Sequence, residues 1–304
     1  MSPAIKSRRN PGPNWGFRFL QVTEHRAPRW IFRPALMLGI WVGLLFMPAQ
    51  RRHSRAYLRV VLGRPPRLIE VWRHFLAFTD FLMLKLRVAR GVPHRSQLAP
   101  ENAVEFEALM RSGRPVLMGS FHFGRSDLLG FALSDFKRRV YILRQRIGNA
   151  DDTAQLRRLF GEWISFIWVN EPENLLFAIK AAIDSGGCLA MQCDRLEFST
   201  KAEPFQFLGA RRMFPFGIYH LAIVFRQPVA FCLGLPGATR DETVVQASPV
   251  FLPDEAGREA NLRRAREHFQ AVLVWLETLV RQNPTLWFNF LPLNPESPAP
   301  ASSR

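Results

Sequence analysis

The chain has 304 residues, 48% of them hydrophobic and 12% aromatic, which is enough for one sizeable core and excludes a largely disordered protein. Its net charge of +16 comes mainly from 36 Arg, an excess that fits a solvated surface, an anionic membrane or an acidic protein partner. With neither zinc-finger spacing nor a glycine–aromatic RNA-binding box, the sequence argues against a nucleic-acid partner.

In chain order, the first candidate element is "PALMLGIWVGLLFMPA" (34–49), which carries no charge over its 16 residues. As a helix rising ~1.5 Å per residue it covers roughly 24 Å, short of the ~30 Å hydrocarbon core of a bilayer. It starts too far from Met1 for an ordinary secretory signal. Arg29 and Arg33 precede it, and Arg51, Arg52 and Arg55 follow. Positive charge on both flanks suits a helix pressed into an anionic surface; a buried core helix is the alternative. A second apolar helix is expected at 67–91, with Val71, Phe75, Phe78 and Leu82 on one stripe. Trp72, Leu76 and Met83 widen that stripe beyond one core face. Together the two favour a protein seated on a membrane. The expected organisation is a basic, apolar membrane-associating segment over 1–50, a main domain over 51–292 and a disordered tail over 293–304.

After residue 100 the pattern alternates. Strands are expected at 115–120, 140–144, 164–169, 188–193 and 229–235, with helices at 126–134, 152–162, 173–184 and 215–226. Gly186-Gly187 supplies a helix C-terminus. A last helix at 256–282 carries Leu262, Ala265, Phe269, Val272, Leu276 and Leu279 on one stripe and stops before Pro284. Strands alternating with helices imply an α/β fold whose central sheet is mostly parallel and flanked by helices. Cys188, Cys193 and Cys232 are odd in number and lack metal-ligand spacing, which implies unpaired thiols in a reducing compartment.

Ligands of open α/β sheets bind beyond the carboxyl ends of the strands. At one such end stands "HFGRSD" (122–127). In one reading the loop folds back to set the Asp127 carboxylate beside a ring nitrogen of His122, making the other nitrogen a general base. In the other, Asp127 caps the next helix and His122 is an ordinary loop histidine. Other chemistries lack their motifs: no G-x-S-x-G elbow, no H-E-x-x-H and no phosphate-binding G-x-x-x-x-G-K-[ST] occurs. Cys193 beside Asp194 is readable as a nucleophile, or as a buried thiol at a strand end.

"VLMGSFHFGRSDLLG" (116–130) resembles the first signature of the bacterial lipid A biosynthesis acyltransferases, within the glycerolipid acyltransferase superfamily. "YILRQR" (141–146), "CDRLEFSTKAEPFQFLGARRMFPFGIYHLA" (193–222) and "NPTLWFNFLP" (283–292) are similar to its later blocks, in the same order. The "WFNF" ending and "RRHSRAYLRVVLGRPP" upstream look closest to members that accompany aryl-polyene-type biosynthesis. The resemblance implies a glycerolipid acyltransferase-like fold on the cytoplasmic face of a bacterial inner membrane. It implies fatty acyl transfer from an acyl carrier protein or coenzyme A thioester to a hydroxyl, with His122 as base and Asp127 orienting it. Neither a metal nor a cofactor beyond the thioester co-substrate is expected, and the partners are membrane lipids and acyl carrier protein. Arg144, or else loop N–H groups, would meet the oxyanion. Arg125 would contact a phosphate or carboxylate, or stay an exposed charge. Asp194 and Arg195 are expected at the same rim, as site residues or a structural ion pair. Phe207 and Gly209 would shape an acyl or acceptor slot, unless they only pack, with Arg211 or Arg212 near an anionic group. A lipid-binding scaffold without turnover, or acylation of a polyene or ornithine-type lipid, are the alternatives.

Overall fold

A computed structural model describes residues 29–88, 91–101, 103–129, 136–144, 163–170, 172–196 and 201–296. The helix expected at 152–162 lies outside them, as does most of the one expected at 126–134, of which the described part is a single 3-10 turn, Ser126–Leu128.

Seven strands form the central sheet: β1 (Arg95–Leu98), β2 (Leu117–Ser120), β3 (Val140–Arg144), β4 (Ile164–Trp168), β5 (Cys188–Gln192), β8 (Val229–Pro236) and β9 (Glu242–Ala247). A separate hairpin joins β6 (Ala202–Phe207) to β7 (Ala210–Pro215). The sheet order is β1-β9-β8-β2-β5-β3-β4. Of the six neighbour pairs, only β8 with β9 is antiparallel. The expectation of a mostly parallel sheet flanked by helices therefore holds.

The central strands read as apolar runs because both sheet faces are covered. Side chains alternate between faces, so Leu117, Leu189 and Phe231 enter the larger core. That core is closed by α1 (Arg29–Phe46), α2 (Pro48–Leu62), α3 (Leu68–Val88), α5 (Leu175–Asp184), α6 (Gly217–Phe225) and α7 (Arg258–Gln282). Their neighbours Met118, Cys188, Ala230 and Cys232 enter a smaller core with Phe106 and Met110 of α4 (Ala103–Arg111) on the other face. The α7 stripe from Leu262 to Leu279 is buried throughout, as its spacing requires.

At the N-terminus the structure departs from the expected single apolar helix over 34–49. Pro34 lies inside α1, and the helix ends at Phe46, where the chain turns sharply at Met47-Pro48. Among the described residues no single helix is long and apolar enough to cross a membrane; α1 and α2 would suffice together, but they meet at a 99° bend. Running antiparallel to α3, α1 pairs Arg33 with Asp80 at 3.1 Å and stacks Trp41 on Trp72 at 5.7 Å. Leu36, Ile40 and Leu44 face inward. On the opposite side Trp30, Leu38, Leu45 and Phe46 are each at least 66% exposed. The wide stripe of α3 has a different cause: it is covered on two sides, by α1 and by Phe288 and Phe290 from the C-terminal segment.

Of the expected tail over 293–304, residues 293–296 are described and the rest lies outside the described residues. Residues 293–296 are held, with Pro295 accepting from the Met213 N–H at 3.1 Å and Glu296 pairing with the buried Arg212. Their composition suggested nothing to bury, yet their backbone and Asn294 supply hydrogen bonds to the site's own elements.

Candidate active site

β2 and β5 are neighbours in register, Ser120 opposite Gln192, and they end together: the Cys193 N–H donates to the Ser120 carbonyl at 2.8 Å. Two residues beyond these ends stand His122 and Asp194. Parallel pairing thus brings together two side chains that are 72 positions apart in the sequence. The His122 ring nitrogen Nδ1 lies 2.7 Å from Asp194 Oδ1, and the His122 backbone N–H donates to Asp194 Oδ2 at 2.8 Å. A carboxylate only accepts, so Nδ1 carries a proton, and in the neutral ring the lone pair is on Nε2.

Asp194 is almost fully buried and gains a third donor, the Trp287 indole N–H at 3.0 Å from Oδ2. Burial opposes its charge, but His122, Arg195 and the indole outweigh burial and hold the carboxyl well below the usual range. The Asn294 side-chain amide donates to the Asp194 backbone carbonyl at 3.0 Å.

The loop around His122 is equally fixed. Phe123 N–H bonds Phe121, Gly124 N–H bonds Leu286, and Arg125 N–H bonds Gly234, each at 2.7 Å. Phe288 N–H donates to the His122 carbonyl at 2.9 Å. Gly124 turns at φ +58°, and a Cβ there would sit 2.1 Å from the Gly234 oxygen, so only glycine fits.

Asp127 is elsewhere. Its carboxylate pairs with the Lys85 ammonium near the end of α3, not with His122. Burial again works against the charge; Lys85, with Arg144 and His122 acting at longer range, holds the carboxyl below its ordinary value. About a third of the Asp127 side chain stays exposed, at 35%, so this pair stands at the rim. The expected pairing of Asp127 with His122 is corrected here. A 3-10 turn over 126–128 points Asp127 towards α3, while parallel strand register delivers Asp194 to the imidazole.

The other expected positions divide. Arg144 ends β3, beside β5, with its guanidinium 5.9 Å from the centre of the Phe166 ring and its charge felt at Asp127. Arg195 acts electrostatically on Asp194. Arg125 turns away to the Glu242 carbonyl of β9. Phe207 is buried edge-on against Trp287 at 5.4 Å, a packing residue beneath the site and not a slot wall. Gly209 lies in the tight β6–β7 turn, and Arg211 is exposed on β7. The loop N–H groups of 122–125 are all bonded within the fold, which removes them as ready oxyanion donors. Cys193 is buried, and its thiol is pushed far up by burial and then by Asp194, which makes it a poor nucleophile; Cys232 is pushed up to about 12 by burial. All three cysteines are unpaired.

Lys85 and Trp287 enter the site without having been singled out for it. Trp287 lies in the 283–292 segment, which the sequence marks only by its resemblance, and Lys85 lies inside an apolar helix. Among the described residues no cluster of His, Cys, Asp and Glu is arranged to hold a metal. A cavity of about 360 Å³ between α6 and the start of α7 contains none of these residues. No protein-family model and no curated protein matches the chain.

Proposed function

We propose that the protein is an acyltransferase that moves a fatty acyl group from an acyl carrier protein or coenzyme A thioester to a hydroxyl of a lipid or glycolipid. The observation that carries the reading is the His122–Asp194 pair at adjacent strand ends, which leaves Nε2 as an oriented base. Four sequence blocks similar to the lipid A biosynthesis acyltransferases add support. Nε2 takes the hydroxyl proton while the oxygen attacks the thioester carbonyl. Collapse of the tetrahedral intermediate breaks the C–S bond, and the imidazolium returns its proton to the leaving thiolate. Ester and free thiol are the products, with no covalent enzyme intermediate. Asp194 stabilises the imidazolium, and Arg144 and the Asp127-paired Lys85 are the cations assigned to the oxyanion.

The apolar outer face of α1, with Arg52 and Arg55 exposed on the following helix, supports seating on an anionic membrane without spanning it. Since Arg33 on α1 pairs with Asp80, little more than a turn from Lys85, that face begins beside the rim. Thioester donors are made in the cytosol, so the cytoplasmic face of a bacterial inner membrane is the location proposed.

The experiment is release of free thiol from acyl-acyl carrier protein by the purified protein with lipid extract added. Release that needs the extract, and is lost in His122→Ala, is the expected result. The α1 face alone would also suit a lipid-binding scaffold; binding without thiol release under any acceptor would establish that reading instead.

A further inference from the structure

Trp287 is gripped from several sides. Its carbonyl accepts from His74 Nε2–H at 2.9 Å, and the Ser54 hydroxyl lies 2.8 Å from His74 Nδ1. The carbonyl cannot donate, so His74 carries its proton on Nε2 and takes the Ser54 hydroxyl hydrogen on Nδ1. His74 is fully buried, and burial pushes its pKa down to about 4, in keeping with this neutral form. The Tyr57 hydroxyl donates to the Pro284 carbonyl at 2.8 Å, and its ring meets the Trp287 indole edge-on at 5.3 Å. On the other side, residues 286–288 bond the His122 loop through Gly124 and the His122 carbonyl.

Ser54 and Tyr57 belong to α2 and His74 to α3, so the N-terminal helices reach the imidazole–carboxylate pair through one residue, Trp287, whose carbonyl His74 holds and whose indole bonds Asp194. We infer that Trp287 is a positioning residue for His122 and Asp194, held by Ser54 and His74, and that α2 and α3 thereby take part in setting the geometry of the base. Only the activity arm of its test rests on the acyl-transfer reading.

The two oxygens of the Asp194 carboxylate have different partners. Oδ1 serves the imidazole; Oδ2 takes the His122 N–H and the indole. Without the indole, Oδ2 keeps one bond and the carboxylate gains freedom to twist, loosening the Nδ1–H bond that fixes the tautomer. Among the described residues, the other charges near the pair are Arg195 acting on Asp194, and Asp127 with Lys85 and Arg144. None of them replaces a donor at Oδ2.

The test uses full-length protein in detergent micelles with nitrogen-15 histidine. Trp287→Phe keeps an aromatic ring and removes the N–H. Hydrogen exchange at His122 Nδ1 should become about tenfold faster, and the maximal turnover rate should fall about tenfold with KM changed less than about twofold. His74→Phe should move both readouts in the same direction. If Trp287→Phe fails to fold, the benzothienyl analogue of tryptophan at 287, which matches the indole in shape but lacks the N–H, decides the question. An unchanged His122 exchange rate in a folded variant overturns the inference. If the unaltered protein turns over no thioester, the acyl-transfer reading falls alone, and the exchange measurement still decides the role of Trp287.

Discussion

Two carboxylates flank the His122 loop, and they are kept ionised in opposite ways. Asp194 is buried, takes three donors and spends one oxygen on an imidazole. Asp127 stands at the rim, a third exposed, neutralised by one ammonium. The acid five residues from the histidine is the obvious partner in sequence; the acid 72 residues away is the partner in space. Strand register, which no local spacing encodes, decides between them. A carboxylate that accepts from the imidazole and the backbone of the same histidine fixes its orientation, whereas one paired with a lysine does not touch the ring.

The largest effect should come from breaking the buried side. His122→Ala is expected to lower thiol release by about 10³-fold, within the ~10²–10⁴-fold range for general-base catalysis, while circular dichroism and vesicle binding stay unchanged. Near-normal release from a folded variant would remove the base assignment.

The buried side also carries a pH signature. His74 titrates near 4 when folded and near 6.5 when unfolded. The unfolded chain therefore binds more protons between those values, so stability falls as pH drops from about 6.5 towards 4 and levels off below. The loss from this one group is at most roughly 3 kcal/mol. Burial lowers His94, His220 and His268 too, which adds in the same direction. Denaturant melts at several pH values should show a distinctly shallower slope for His74→Phe than for the unaltered protein.

At the rim, the outer face of α1 is the part to alter. The triple change Leu38→Lys, Leu45→Lys and Phe46→Lys leaves the inward Leu36, Ile40 and Leu44 intact. Flotation with anionic vesicles should weaken by at least about tenfold, since each apolar side chain withdrawn from lipid forfeits about 1.5–3 kcal/mol, offset in part by the added positive charge. Undiminished flotation would remove the outer face of α1 as the proposed membrane contact.

The smallest effect is expected at Lys85. Lys85→Met should destabilise by about 1–2 kcal/mol, less than the ~3–5 kcal/mol for orphaning a fully buried ion, because water screens the exposed part of Asp127. Adding Asp127→Asn should restore most of the loss. If the double variant is no more stable than Lys85→Met, the pair is not the reason Asp127 stays charged.

How much of this was legible in the sequence follows from the range over which each signal acts. β3 was expected at 140–144 and lies at Val140–Arg144, and the α7 stripe is buried at each expected position, because burial periodicity is local. The hairpin β6–β7 went unassigned; its strands pair across a two-residue turn, Leu208-Gly209, that gives no asparagine–glycine or aspartate–glycine signal. Strands β1 and β9 were missed for another reason: Arg95–Leu98 at the sheet edge is short and polar, and Glu242–Ala247, between β1 and β8, buries only alternate residues, so neither has the fully apolar run of a central strand. In the site, His122 was legible as a polar residue at a strand end. Asp194 was legible as a residue of the same rim, but its pairing with His122 was not, because Asp194 follows a different strand and meets His122 only through the Ser120–Gln192 register. Trp287 was illegible as a hydrogen-bond donor for the same reason: its neighbours in space come from α2, α3 and the β2 and β5 ends.

The most direct measurement compares two conservative changes side by side. Thiol release from acyl-acyl carrier protein is followed for Asp194→Asn and Asp127→Asn, each checked for folding by circular dichroism. Asparagine matches aspartate in shape but cannot hold the imidazolium charge, so Asp194→Asn should lose about 10²–10³-fold and Asp127→Asn no more than about tenfold. The reverse order, with Asp127→Asn inactive and Asp194→Asn near normal, would contradict the assignment of Asp194 as the partner of His122.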